Sequence, residues 1–188
     1  MATFRPGAES PRNLASTATF TLTEPRRLDM SEFVPLDTPR FVTGKPMLIA
    51  GLSERYISME VTGIPAQWQR FSPHLGHIAD QRGSICYGVC HDFGENGQFG
   101  YLCGVEVSRA NNLPSGFTLV RLTEQDYAVF THRDHISSIG KTTRSIWQMW
   151  LPSSGYQFAE APEFERYDDR FDPQSGQGEV EIWLPIKK

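Results

Sequence analysis

A succession of strand, helix, strand and strand occurs twice along the chain, and that repeat limits the fold more tightly than any single motif. In the first unit Phe41–Ser53 reads as a strand with a bend at Gly44-Lys45-Pro46. Ile64, Trp68, Phe71, Leu75 and Ile78 then recur at spacings of four and three, which predicts an amphipathic helix with Pro65 in its first turn. Pro73 falls inside that pattern and is expected to kink or split the helix. Ile85–Asp92 and Gln98–Ser108 are β-rich runs, and the Asn96-Gly97 step between them marks a hairpin.

The second unit follows the turn Pro114-Ser115-Gly116. Phe117–Leu122 and Tyr127–Thr131 are β-like, and Ile136, Ile139, Thr143, Ile146, Trp147 and Trp150 share one helical face that Pro152 should stop. Glu163–Tyr167 and Glu179–Ile186 are the last two strands. The helices begin roughly 75 residues apart, so two βαββ units in tandem account for the pattern. The expected division is an arm or edge strand over residues 1–38, with Phe20–Leu22 as its β element, and one domain over 39–188. Within that domain the repeats run over about 39–110 and about 114–188. In the final strand Val180, Ile182, Leu184 and Ile186 face one way, the natural seat for helices. Glu179, Glu181 and Trp183 face the other, toward solvent or a cleft.

Charge and cysteine usage exclude several classes. The net charge of −4 arises wholly in residues 124–188, which carry 11 acidic and 7 basic side chains. A binder of phosphate backbones needs a basic stripe, so direct nucleic-acid binding is not expected. No window has the roughly 18 apolar residues of a membrane span, and a cytoplasmic location is expected. The cysteines, Cys86, Cys90 and Cys103, are odd in number and suggest no disulfide framework. Four strand residues span roughly 13 Å, whereas two thiolates on one zinc lie about 4 Å apart. Cys86 and Cys90 therefore read as small reduced core residues. His132, His135, His74 and His77 read as capping or solvated side chains, and neither a metal nor a cofactor is expected.

Several segments taken in order carry a family resemblance. They are Tyr127–His132, Ile136-Ser137-Ser138-Ile139, Ile146–Tyr156, Pro162-Glu163-Phe164-Glu165-Arg166-Tyr167 and Glu179–Ile186. The series resembles the C-terminal signature of GyrI-like, or AraC-type effector-binding, domains. Arg133-Asp134 stands where that family usually has glycine. The resemblance implies an α+β domain of pseudo-twofold symmetry, mainly antiparallel, with helices on one side and a ligand cleft between the halves. Family members bind bulky, often cationic aromatic molecules against a glutamate in the penultimate strand, and Glu165 matches it. From the residues alone, a salt bridge to Arg166 or Arg170 is the other reading of Glu165.

Glu181, Trp183, Trp147, Tyr127, Trp68 and Tyr56 are the further candidate lining residues, with ordinary core packing as the alternative for Trp147 and Trp68. The leading expectation is a sensor or sequestering protein for bulky amphipathic, cationic aromatic molecules. No helix-turn-helix fits before Pro39, so DNA binding would fall to a separate protein. The resemblance also implies two other activities. One is hydrolysis of strained cyclopropane rings in DNA-alkylating compounds, with Glu165 as general base and Tyr56 as donor. The other is a protein partner, as in gyrase inhibition.

Overall fold

The computed structural model describes residues 30–58 and 60–188, so the expected Phe20–Leu22 strand lies outside the described residues. The first unit consists of β1 (Arg40–Gly44), β2 (Met47–Ile57), α1 (Ile64–Phe71), β3 (Gln81–His91) and β4 (Gln98–Val107). In the second, β5 (Phe117–Leu122) and β6 (Gln125–His132) precede α2 (Ile139–Ser145) and α3 (Leu151–Ser154). β7 (Gln157–Phe158), β8 (Glu163–Tyr167), a small hairpin of β9 (Phe171–Asp172) and β10 (Gln177–Gly178), and β11 (Val180–Lys187) complete the chain.

All strand pairs are antiparallel, in the order β1-β6-β11-β8-β3-β4-β2-β5, with β7 added beside β11. Each unit contributes three neighbouring strands, and the seam between units is the β3–β8 pair. The first strand of each unit crosses to the other unit: β1 pairs with β6, and β5 with β2. The single strand expected from Phe41 to Ser53 is thus two strands in different parts of the sheet. Lys45-Pro46 is the break, because proline offers no N–H to a ladder.

Alternation sorts the core. Tyr101, Cys103, Val105 and Val107 of β4 pack with Phe71 of α1, while Ile182, Leu184 and Ile186 pack with Ile146 of the second helical segment. Both helices therefore lie on one face of the sheet. The opposite face buries Ile49, Tyr87, Leu102, Val129 and Phe164 together with Val120 and Leu122 of β5, and Val42 of β1 packs against them. Residues from both ends of the strand order share this cluster, so the sheet coils and closes its far face on itself.

The helices depart from expectation in instructive ways. α1 ends at Phe71, and Ser72–His74 continues as a 3-10 turn with Pro73 in its first positions. Proline is tolerated there because those N–H groups lack helical acceptors. Pro152 does not stop the second helix. Ile146–Trp150 forms a π-helical turn in which Leu151 N–H reaches the Ile146 carbonyl. Pro152 then falls in the first turn of α3, and Gly155 ends the segment with φ of 77°. Part of the expected arm is ordered against this segment. Val34 N–H donates to Ser145 Oγ at 2.9 Å, Glu32 pairs with Arg144, and Leu36 packs against the local core. No helix among the described residues is long and apolar enough to cross a membrane.

Candidate functional site

The seam strand β8 determines which side chains meet. Gly88 lies opposite Glu165, Cys86 opposite Tyr167 and Cys90 opposite Glu163. On its other edge Glu165 is opposite Ile182, which packs beneath the second helix. Directly opposed residues point to the same face. Glu165 therefore faces the helices, together with Glu163 and Tyr167 at two-residue spacing. Phe164 and Arg166 face the other way.

Glu165 is half-buried on the strip of sheet between the helices. Tyr101 and Tyr167 each donate a hydroxyl to its Oε2 at 2.8 Å. Trp68 of α1 donates its indole N–H to the Tyr101 oxygen at 3.0 Å, and its ring meets that of Tyr167 edge-on at 5.2 Å. The line Trp68–Tyr101–Glu165 thus ties the first helix to the carboxylate. Gly88 makes the arrangement fit: a Cβ there would sit 2.2 Å from the Tyr101 hydroxyl and 2.6 Å from Glu165 Oε2. Burial pushes the Glu165 carboxyl above the usual carboxylate range, and the tyrosine hydroxyls pull only part of the way back.

Glu163, two residues away, forms a second acidic point. Its Oε2 accepts the Trp147 indole N–H at 3.0 Å, and the Cys90 thiol donates to it from β3. Burial pushes its carboxyl up to about 7; the Trp147 and Cys90 hydrogen bonds oppose this, and the charge of Glu165 adds to it. Trp147 stands in the π-helical turn, a feature that often marks functional positions. Its ring packs on Phe158 at 4.8 Å. None of the ion pairs among the described residues involves Glu163 or Glu165.

Glu165, Trp68 and Trp147 therefore converge on one strip, while three other expected lining residues do not. Glu181 and Trp183 are on the opposite face, because the register sets Ile182, not its neighbours, against Glu165. Tyr127 is also on that face, where its ring packs on Phe164 and Trp183 at 5.3 and 5.5 Å. Glu181 is a structural counter-ion there, held by Arg40 at 2.7 Å, Arg170 at 3.0 Å and Arg166 at 3.3 Å. Tyr56 is on the helix face, yet its hydroxyl lies 2.9 Å from both Glu54 and Gln67 and serves them rather than Glu165. The alternative salt bridge from Glu165 to Arg166 or Arg170 does not form; both arginines bind Asp168 and Glu181.

Two histidine expectations divide. His135 caps a 3-10 turn by accepting from Ser137 N–H, whereas His132 is buried with its Nδ1 2.8 Å from Thr142 Oγ1. Arg133, at the place where glycine was expected, lies beside Asp37 and Glu179. Glu163, Tyr167, Tyr101 and Gly88 were missed as site residues. Alternation alone groups Glu163, Glu165 and Tyr167, but Tyr101 and Gly88 depend on pairing across three strands. A separate hollow of about 610 Å³ lies at the β1 edge beside Phe41, Tyr156 and Lys187, away from this strip.

An antiparallel sheet carrying half-buried carboxylates and indoles between two helices is the framework of an α+β small-molecule-binding domain. The chain belongs to the family of GyrI-like small molecule binding domains, which it matches over residues 37–187. It is similar to the transcriptional regulator BrlR of Pseudomonas aeruginosa, 32% identical over 121 residues, covering 63% of this chain and 44% of that protein. A DNA gyrase inhibitor of Erwinia billingiae is 31% identical over 85 residues, covering 45% of this chain and 48% of that protein. The chain thus spans less than half the length of these curated relatives. Among solved structures, SAV2435 bound to tetraphenylphosphonium shares the fold, with a TM-score of 0.64 and 22% identity over 79% of this chain and 93% of that one.

Proposed function

We propose that this domain binds bulky amphipathic cations on the strip between its helices, with Glu165 as their counter-charge. The observation that carries this reading is a half-buried carboxylate held by two tyrosine hydroxyls and by no basic side chain among the described residues. Hydroxyls steady such a charge without neutralising it, so an incoming cation gains attraction that an arginine would otherwise have used. Trp68, Tyr167 and Trp147 supply ring faces and edges nearby, where cation–π contacts contribute roughly 0.5–2 kcal/mol each. The family membership and the tetraphenylphosphonium bound to a protein of the same fold support the same ligand class. The domain would act as the sensing or sequestering part of a regulator.

Tetraphenylphosphonium titrated calorimetrically into the wild type and Glu165→Gln tests this. Loss of one close counter-charge should weaken binding by tenfold or more, on the order of 1.4 kcal/mol per decade. Equal affinity for both proteins would remove Glu165 from the role.

A further inference from the structure

We propose that the strip is a two-lobed site selective for ligands with two positive centres, Glu163 being the specificity residue of the second lobe. The inference rests on the cation-binding reading of Glu165 and names the ligand class more closely.

Each carboxylate is wired to an indole from a different helix. Glu165 joins the first helix through Tyr101 and Trp68, while Glu163 joins the second directly through Trp147. The strip therefore holds two pairs of acid and tryptophan rather than one acid in a general aromatic surround. Glu163 and Glu165 are two strand residues apart on the same face, which sets their backbone positions about 7 Å apart. A single cation seated at Glu165 leaves Glu163 without a charged partner. A rigid ligand bearing a second positive centre at comparable spacing supplies one, and Trp147 offers it a ring as Trp68 does the first.

Proton uptake reinforces this selection. Around Glu163 the titratable groups are Glu165 and Tyr167 from β8, Cys90 from β3 and Tyr101 from β4; Trp147 brings only a neutral N–H. The nearby helix arginines face elsewhere, Arg70 toward Glu54 and Arg144 toward Glu32. With its carboxyl raised to about 7, Glu163 is protonated in mild acid and the second lobe then carries no charge. Above that pH it ionises and attracts a second cation.

A matched pair of probes isolates the second charge: 1,1′-dimethyl-4,4′-bipyridinium, a dication, and N-methyl-4-phenylpyridinium, a monocation of nearly the same shape. Calorimetry at pH 8 should give the wild type about a tenfold preference for the dication. Glu163→Gln should reduce that preference to about threefold or less, weakening the dication more than the monocation, whereas Glu165→Gln should weaken both probes. Lowering the pH to 6 should shrink the wild-type preference by protonating Glu163. Equal wild-type affinities at pH 8, or a preference that survives Glu163→Gln, overturns the two-lobed site. If Glu165→Gln still weakens both probes in that case, the cation-binding reading stands alone. If neither probe binds the wild type, the two-lobed site falls, and the tetraphenylphosphonium titration decides the cation-binding reading separately.

Discussion

Acidic side chains occupy both faces of the same sheet, yet their surroundings are opposite. On the far face Glu181 and Asp168 are held by Arg40, Arg166 and Arg170. The Arg170 hydrogen bond, above all, holds Asp168 well below the usual carboxylate range. Burial raises the Glu181 carboxyl, but hydrogen bonds from Arg170 and Trp183 and the nearby arginine charges more than reverse this. On the helix face Glu163 and Glu165 have only neutral donors, and both are raised. Charge pairing therefore separates the acids of the two faces more sharply than burial does.

The strongest way to break this contrast is at Arg166. Arg166→Met should leave Asp168 and Glu181 under-compensated and cost about 2–4 kcal/mol of stability, read as a lowered urea midpoint at pH 7. Tetraphenylphosphonium affinity should stay the same once the protein is folded. A midpoint unchanged from wild type would show that the far-face network is not structural.

Gly88→Ala should have a smaller effect on stability, about 1–3 kcal/mol, because its methyl presses on the Tyr101 hydroxyl and Glu165. Unlike the arginine variant, it should also weaken the cation. Reduced stability with unaltered affinity would detach Gly88 from the site.

The smallest effect concerns pH. Burial holds the Glu163 carboxyl at about 7 in the folded state, above its ordinary value of 4.5. The unfolded chain gives up that proton first, so this group's contribution to stability is lost as pH rises from about 4.5 to about 7. Asp168 and Glu181 act in the opposite sense, since their carboxyls are lowered: their contribution is lost as pH falls through the acid range. Between pH 5 and 8 the melting temperature of the wild type should fall relative to Glu163→Gln, by about 2–4 °C for each kcal/mol involved. Parallel curves would mean that Glu163 does not titrate differently in the folded state.

Much of the scaffold was legible because periodicity is local. The apolar face of β11 and the helix-facing residues of α1 are visible at spacings of two and of three to four. The Asn96-Gly97 hairpin was legible too, since both residues take positive φ, 60° and 72°. Pro152 misled for an equally local reason. Its missing N–H ends a helix only where an acceptor is waiting, and the π-helical turn before it moved Pro152 to the start of a new segment.

The sequence by itself determined the tandem βαββ order and the family, and it singled out Glu165 as the candidate carboxylate. It could not determine which other residues share the face of Glu165. Side chains alternate with a period of two along every strand, so grouping residues from different strands requires the pairing register, and a one-residue slip reverses every assignment. The tertiary structure decided that register. It set Gly88 and Ile182 against Glu165, moved Glu181, Trp183 and Tyr127 to the far face, and tied Trp147 to Glu163 directly and Trp68 to Glu165 through Tyr101.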